Sequence, residues 1–272
     1  MTRPHVMGIV NVTPDSFSDG GLWATPDAAV ARAHALVADG ADVIDVGGES
    51  TRPGAPRVEA DTELARVLPV VAALAAAGVT VSVDTTRATV AAEALASGAS
   101  VINDVSGGLA DPAMLATVAE AGATYIAMHW RGPSSTMAAQ ASYPRGVADI
   151  VDELAARRDA CLAAGIAPER LVLDPGIGFS KTAEHNWAVL REWGRFEALG
   201  HPLLLAVSRK RFLGALLGGP DAPRPPEGRD AATAALSALF AHRGLWGVRV
   251  HAVRATADAL AAARALAGDG HG

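Results

Sequence analysis

The stretch VSVDTTRATVAAEALASGASVINDVSGG, residues 81–108, joins two short apolar segments through an Ala-rich segment of helical composition. The apolar segments end in polar residues, Asp84 and Asn103, and the Ala-rich run stops at Gly98. Glycine commonly follows the last turn of a helix because it adopts a left-handed backbone without strain. A strand, a helix and a strand in this order predict a βαβ unit with two parallel strands.

The same arrangement continues in both directions along the chain, which gives eight apolar segments. The segments are 7–11, 43–45, 81–84, 101–103, 125–129, 171–174, 203–208 and 247–251. Their last residues are Asn11, Asp45, Asp84, Asn103, His129, Asp174, Ser208 and His251. Helical segments lie between them, and the first opens with the capping sequence Thr25-Pro26. This alternation predicts an α/β fold.

Two α/β folds fit this alternation, a closed (β/α)8 TIM barrel and an open doubly wound sheet. An open sheet gathers its site at one switch point, whereas here every segment ends in a polar residue. No G-x-G-x-x-G motif follows the first segment. The length is close to the ~250 residues of a typical barrel. We therefore predict a (β/α)8 barrel that forms a single domain over residues 1–272, with the proline-rich stretch 218–228 as a surface excursion.

Composition narrows the classes of partner and compartment. The net charge of −6 and the lack of a basic block argue against nucleic-acid binding, although a local cationic cluster could still bind an anionic substrate. A single cysteine, Cys161, forms no intrachain disulfide and suits a reducing compartment. We find neither a secretory signal nor an apolar run of membrane-spanning length. The expectation is a cytoplasmic protein without a membrane or nucleic-acid partner.

Side-chain alternation along strands indicates which polar residues share one cavity. Residues two apart on a strand face the same side, and the inward face at the C-terminal mouth of a barrel carries the binding groups. The predicted cluster consists of Asn11, Asp84, Asn103, Asp174, Lys210, Arg249 and His251. Carboxylates and amides suit a flat heterocycle rich in N–H donors, and the cationic groups suit phosphate oxygens. The pattern favours a heterocyclic substrate with an anionic leaving group.

Each of these residues also has a purely structural interpretation. An Asp at a strand end often caps the following helix. Asp45 could organise the loop after it, and His129 and His185 are expected to be structural. Arg209 should point away from Lys210 and anchor the loop. These interpretations do not explain why all eight strand ends are polar.

Two long loops, 12–21 and 47–56, are rich in Gly, Pro, Ser and Asp. This composition is typical of mobile segments that close over a ligand, although it is also ordinary turn composition. Phe17 and Pro53 are apolar residues on these loops, and we expect them to cover an aromatic substrate.

Seven motifs in this order make the chain resemble a known enzyme family. They are MGIVNVTPDSFSDGG (7–21), DVGGESTRPGA (45–55), SVDTTR (82–87), INDVSGG (102–108), LDPGIGF (173–179), SRKRFLG (208–214) and RVH (249–251). The chain resembles the dihydropteroate synthases, pterin-binding (β/α)8 enzymes of folate biosynthesis. The resemblance implies a transferase that joins 6-hydroxymethyl-dihydropterin diphosphate to p-aminobenzoate and releases diphosphate. It also implies inhibition by arylsulfonamides and a homodimer.

The resemblance assigns roles to named residues. Asp84, Asn103 and Asp174 would bind the pterin ring, with Lys210 and Met128 also in contact with it. Asn11 would be the Mg²⁺ ligand, and Arg249 and His251 would hold the diphosphate. The p-aminobenzoate site would be formed by Phe17, Thr51, Arg52, Pro53, Phe179 and Ser208. The expected catalytic residues are Asp84, Asp174, Lys210, Arg249 and His251.

Two other functions remain open at this point. A corrinoid-dependent methyltransferase of the same superfamily would share the Asp and Asn residues, but it has no evident need for the SRK and RVH cations. A catalytically silent paralogue would bind pterins without turnover. Such a paralogue would be expected to lose loop or cation residues, which this chain retains.

Overall fold

The structure of the protein is a computed structural model that describes residues 3–13, 25–49, 57–133, 137–219 and 221–268. Its eight strands form a closed barrel in which neighbours follow sequence order, and β8 pairs with β1 to complete the ring. All strand pairs are parallel. A helix follows each strand. The prediction of an α/β fold of the (β/α)8 type is confirmed.

The strand bounds lie within two residues of the predicted segments at each end, except that the seventh strand, predicted over 203–208, ends at Leu205. The strands are β1 His5–Asn11, β2 Val43–Gly47, β3 Val81–Asp84, β4 Val101–Asp104, β5 Thr124–Met128, β6 Leu171–Asp174, β7 Leu203–Leu205 and β8 Leu245–Val250. The described helices are α1 Pro26–Ala38, α2 Ala60–Ala76, α3 Ala88–Ala96, α4 Met114–Ala121, α5 Val147–Ala163, α6 Ala183–Arg191, α7 Gly194–Glu197, α8 Arg211–Gly218, α9 Asp230–Phe240 and α10 Val253–Leu266. Short 3₁₀ turns occupy Met137–Gln140, Pro168–Arg170 and Pro226–Arg229.

Local signals explain several helix ends. The Thr25 side chain accepts a hydrogen bond from the N–H of Ala28 at 3.3 Å, so it caps α1 as predicted. Thr182 and His185 form a reciprocal capping box at the start of α6. His185 is therefore a structural residue, as the sequence indicated.

Two apolar layers surround the strands. The larger layer packs helices against the outer face of the barrel, and a smaller cluster fills its interior. The interior cluster consists of Met7, Val43, Val101, Ile126, Val172 and Leu204. Because side chains two apart share a face, these residues fix which strand-end side chains point inward. No described helix is long and apolar enough to cross a membrane.

Candidate active site

Polar side chains continue the interior face of the barrel at its C-terminal mouth. Asn11, Asp45, Asn103, Met128 and Asp174 each lie on the same face as an interior apolar residue of their own strand, two or four positions earlier. Asp45, Asn103 and Asp174 are buried, as is Asp84 at the end of β3. The fold thus brings the predicted Asp and Asn residues together in one cavity mouth.

Arg249 of β8 connects two of these carboxylates. Its Nε donates to Asp45 Oδ2 at 2.6 Å, and its Nη2 donates to Asp84 Oδ2 at 2.8 Å. Asp45 also accepts from Ser82 Oγ at 2.7 Å and from Asn103 Nδ2 at 3.2 Å. Among the described residues, none accepts a hydrogen bond from Arg249 Nη1. The guanidinium is therefore held rigidly and keeps donor capacity for an anion.

Asp45 is the residue of this cluster that the sequence does not single out. Its sequence context is that of a loop organiser, whereas the structure places its fully buried carboxylate between Arg249, Asn103 and Ser82. Two sequence signals could have found it: its strand-end position and its two-residue spacing from the apolar Val43. Its partner Arg249 is 204 residues away, so no local pattern joins them.

Burial changes the protonation of the site. It raises the pKa of Asp84 to about 7, although the positive charge of Arg249 opposes the shift. It also raises the pKa of Asp174, against a hydrogen bond from Gly176. Burial and the charge of Arg249 lower the pKa of Lys210 to about 8. Asp84 therefore lies close to its titration point, because the effect of desolvation on its pKa outweighs that of Arg249.

The loop after β6 orients Asp174 and Lys210. The N–H of Gly176 donates to Asp174 Oδ1 at 2.7 Å. Lys210 Nζ lies 4.2 Å from the centre of the Phe179 ring. Gly178 has a φ of +81°, and a side chain there would lie 2.8 Å from Lys210 Cδ, so only glycine fits. The sequence Gly-Ile-Gly-Phe thus brings Phe179 against Lys210.

The SRK motif is placed by a turn, which corrects the sequence argument. Strand β7 ends at Leu205, so strand alternation does not bring Ser208 and Lys210 to the same side. Instead, Arg209 between them adopts a left-handed backbone with a φ of +58°. Its guanidinium binds both oxygens of Asp230 at 2.8 Å, which confirms that Arg209 anchors the loop.

Ser208 and His251 form a pair between the loop after β7 and the end of β8. Ser208 Oγ accepts from the backbone N–H of His251 at 3.1 Å and lies 2.9 Å from His251 Nδ1. His251 lies just beyond the last residue of β8. This pair brings the imidazole to the same mouth as Arg249.

The remaining strand-end and loop residues from the sequence include four that the structure does not describe. Phe17, Thr51, Arg52 and Pro53 fall outside the described residues. His129, just beyond β5, is fully buried, and its Nε2 lies 2.9 Å from Glu153 Oε2. This contact agrees with the structural role expected for His129.

Asn11 is the predicted metal ligand, and it ends β1 at the mouth. Its Oδ1 lies beside Gly47, 3.4 Å from where a Cβ would stand. The described residues contain no group of three or more His, Cys, Asp or Glu side chains able to hold a metal ion. A single amide oxygen fits Mg²⁺ only where substrate phosphates and water supply the other ligands, a common arrangement for this ion.

Comparison with known proteins decides the family. The model of the pterin binding enzyme family matches residues 7–251. The chain belongs to the dihydropteroate synthase family of pterin-binding enzymes. The dihydropteroate synthase of Mycobacterium leprae is 56% identical over 258 residues, which cover 94% of this chain and 91% of that protein.

Solved structures of dihydropteroate synthases share the fold. The enzyme of Xanthomonas albilineans, solved with 4-aminobenzoic acid, has a TM-score of 0.88 and 44% identity, and the match covers 97% of this chain and 93% of that one. The enzyme of Burkholderia cenocepacia, complexed with 7,8-dihydropteroate, has a TM-score of 0.87 and 40% identity, with 99% and 93% covered. The family expected from the motifs is therefore confirmed.

Proposed function

We propose that this chain condenses (7,8-dihydropterin-6-yl)methyl diphosphate with p-aminobenzoate to give 7,8-dihydropteroate and diphosphate. The observation that carries the proposal is the meeting of the carboxylates Asp84 and Asp174 with Arg249 and Lys210 at one barrel mouth. A related dihydropteroate synthase binds the product 7,8-dihydropteroate, and another binds 4-aminobenzoic acid. The chain is a transferase, and we place the whole of residues 1–272 in one pterin-binding domain.

The buried carboxylates and amide suit the pterin ring. An ionised carboxylate accepts two neighbouring N–H donors, and the amide of Asn103 both donates and accepts. We assign the ring to Asp84, Asn103 and Asp174, with Lys210 and Met128 also against it. Ring N–H donors stabilise the charged form of Asp84, so pterin binding should lower its raised pKa.

Departure of diphosphate is the step that needs cations. The C–O bond to the diphosphate breaks with its electron pair on oxygen, so negative charge grows on the leaving group. Arg249 is already held by Asp45 and Asp84, so it stabilises the negative charge on the leaving group with little reorganisation. His251 contributes to the same stabilisation. Mg²⁺ held by Asn11 and the phosphates would neutralise further charge. Asp84 and Asp174 stabilise the positive charge left on the pterin methylene.

The arylamine nitrogen of p-aminobenzoate then forms the new C–N bond and releases one proton to water. Because the cation is a strong electrophile, a general base is not required. We assign the p-aminobenzoate site to Phe179 and Ser208, together with Phe17, Thr51, Arg52 and Pro53. We also propose a cytoplasmic homodimer, in keeping with the family.

The test is a direct assay of the purified protein with dihydropterin diphosphate, p-aminobenzoate and Mg²⁺. We expect equal amounts of dihydropteroate and diphosphate, and an arylsulfonamide should compete with p-aminobenzoate. Tight pterin binding without turnover would instead identify a silent paralogue. Chelation of Mg²⁺ should slow diphosphate release, and an unchanged rate would remove the metal from the proposal.

A further inference from the structure

A connected row of polar side chains lies behind the loop between β6 and α6, and the proposed reaction does not use it. Lys181 Nζ lies 2.9 Å from His129 Nδ1, and His129 Nε2 lies 2.9 Å from Glu153 Oε2. Arg131 Nε donates to Glu153 Oε2 at 2.8 Å. Because His129 is fully buried, its ring nitrogens must find their partners inside the protein.

These hydrogen bonds have one consistent direction. Against the opposing effect of burial, hydrogen bonds from Arg131 and His129 lower the pKa of Glu153 to about 2, so its carboxylate only accepts. His129 therefore donates from Nε2. Burial and the charge of Lys181 lower the pKa of His129 to about 4, which keeps the ring neutral and leaves Nδ1 as an acceptor. Lys181 must be the donor to Nδ1.

The other two N–H groups of Lys181 reach backbone carbonyls. Lys181 Nζ lies 3.0 Å from the carbonyl oxygen of Gly176 and 3.3 Å from that of Phe179. An ammonium group has three donors, and here it has three acceptors. The two carbonyls belong to the two ends of a turn that the N–H of Phe179 closes onto Gly176 at 3.1 Å. Lys181 thus holds both ends of the turn 176–179.

This turn contacts the candidate site at two points. At one end, Gly176 donates its N–H to Asp174 Oδ1, and at the other, the Phe179 ring packs under Lys210. The turn also has no room to shift toward β5. Gly176 has a φ of +68°, and a Cβ there would lie 2.3 Å from the carbonyl oxygen of His129. A movement of the turn would displace Asp174 and Phe179 together.

We infer that Lys181 is a positioning residue for the condensation: it fixes the turn 176–179 so that Phe179 covers p-aminobenzoate and Asp174 faces the pterin. Lys181 acts through these two residues and touches neither substrate. The inference rests on the proposed function, because it assigns Phe179 to the p-aminobenzoate site. Its row of partners connects that turn to α5 through Glu153.

The variant that tests the inference is Lys181→Met, which keeps most of the length of the side chain and removes its three donors. We expect KM for p-aminobenzoate to rise about tenfold, the effect of losing roughly one hydrogen bond to a charged group. The change in kcat should stay within about threefold, because Arg249 and Lys210 remain in place. Burial lowers the pKa of Lys181 to about 7, so the assay is run on the acidic side of neutrality. Lys181→Arg, which retains donors and charge, should restore part of the affinity.

Glu153→Gln is the matched control. It removes the ion pair with Arg131 but leaves an oxygen to accept from His129, so both carbonyl bonds of Lys181 survive. This variant should lose stability and keep a wild-type KM. An equal rise in KM in both variants, or no rise in Lys181→Met, would overturn the inference. If Lys181→Met fails to fold, Lys181→Gln, which retains an amide donor, replaces it in the same comparison.

Calorimetric titration with dihydropteroate separates this inference from the proposed function. The product occupies both substrate sites and needs no turnover to bind. If the wild-type protein binds it but does not turn over, the proposed function fails, while a weaker affinity in Lys181→Met still supports the role of Lys181. Equal affinities in the two proteins would overturn that role. A wild-type protein that binds no dihydropteroate would remove both proposals.

Discussion

At the scale of single residues, Asp45 balances the charge of Arg249. Its carboxylate is fully buried and accepts hydrogen bonds from Arg249, Asn103 and Ser82. Removal of one partner from a buried ion pair leaves an uncompensated charge, which costs more than the pair itself contributes. Asp45 therefore holds the two groups that we assign to diphosphate and pterin.

We predict that Asp45→Ala lowers the free energy of unfolding by about 3–5 kcal/mol, the usual cost of breaking a buried pair. It should also slow diphosphate release, since Arg249 then turns toward Asp84 alone. Ser82→Ala is the control, because it removes one neutral hydrogen bond and should cost about 1 kcal/mol. Urea unfolding of both variants measures the difference. Equal small losses would mean that Asp45 does not hold the guanidinium.

Ser180 is a second residue whose effect on the free energy of unfolding can be tested. It has a φ of +47°, a left-handed conformation that disfavours a residue with a Cβ. Its buried Oγ has no hydrogen-bond partner among the described residues. We predict that Ser180→Gly raises the free energy of unfolding by about 1–2 kcal/mol, since it relieves the backbone and removes an unpaired hydroxyl. Gly176→Ala, in the turn 176–179 that precedes Ser180, should do the opposite, and a Ser180→Gly variant no more stable than wild type would contradict this account.

At the scale of elements, the sequence located strands better than helices. Six of the eight strands end in a polar residue or directly before one, which marks their C-terminal ends in the sequence; β2 and β7 do not. Residues 182–199 have the composition of one continuous helix that stops at Gly200, but in the structure they are split into α6 and α7. The break buries Trp193, whose ring packs edge-on against Phe240 of α9 at 5.1 Å. That contact joins distant parts of the chain, so local composition could not predict it.

His129, which directly follows β5, makes the free energy of unfolding depend on pH. Burial lowers the pKa of His129 to about 4, below its ordinary value of 6.5. Between these two values the unfolded chain binds a proton that the folded protein does not. The free energy of unfolding therefore falls as the pH drops through this window, by roughly 3 kcal/mol in total.

We predict that His129→Gln, which keeps a donor toward Glu153 and an acceptor toward Lys181, loses less stability over that window than the wild-type protein does. Urea unfolding at a series of pH values from 7 down to about 4 measures the two slopes. Other groups titrate in both proteins, so the difference between the slopes reports His129. Identical slopes would show that His129 takes up its proton equally in both states.

At the scale of the whole molecule, the site belongs to no single part of the barrel. Its residues come from β1 to β6 and β8 and from the loops after β6, β7 and β8. A ligand that contacts these residues binds only the closed barrel, so binding adds to the stability of the entire fold.

We predict that dihydropterin diphosphate with Mg²⁺, at a hundred times its dissociation constant, raises the free energy of unfolding by about 2.7 kcal/mol. Asp84→Ala should weaken pterin binding by ~1.5–3 kcal/mol and lose most of this gain. Thermal unfolding with and without ligand measures it. An undiminished gain in Asp84→Ala would remove Asp84 from the pterin site.

The sequence predicted the barrel and the polar set at its mouth because both follow from local periodicity. Strand alternation placed Asp84, Asn103 and Asp174 correctly. It could not predict the ion pairs of Arg249, because these depend on ring closure between distant strands. Nor could it predict the left-handed turn at Arg209, which Asp230 stabilises from a later helix.

Because β8 closes the ring against β1, a ribosome must release the chain at least through β8 before the barrel can form. Until Arg249 emerges, Asp45 and Asp84 lack the cation that pairs with them in the finished protein. A translation product that stops short of this strand therefore lacks both the last seam of the barrel and the counter-charge at its mouth. Such a fragment cannot bury its apolar surface and is susceptible to proteolysis. The strand that carries Arg249 thus completes both the wall of the barrel and the ion pairs at its mouth.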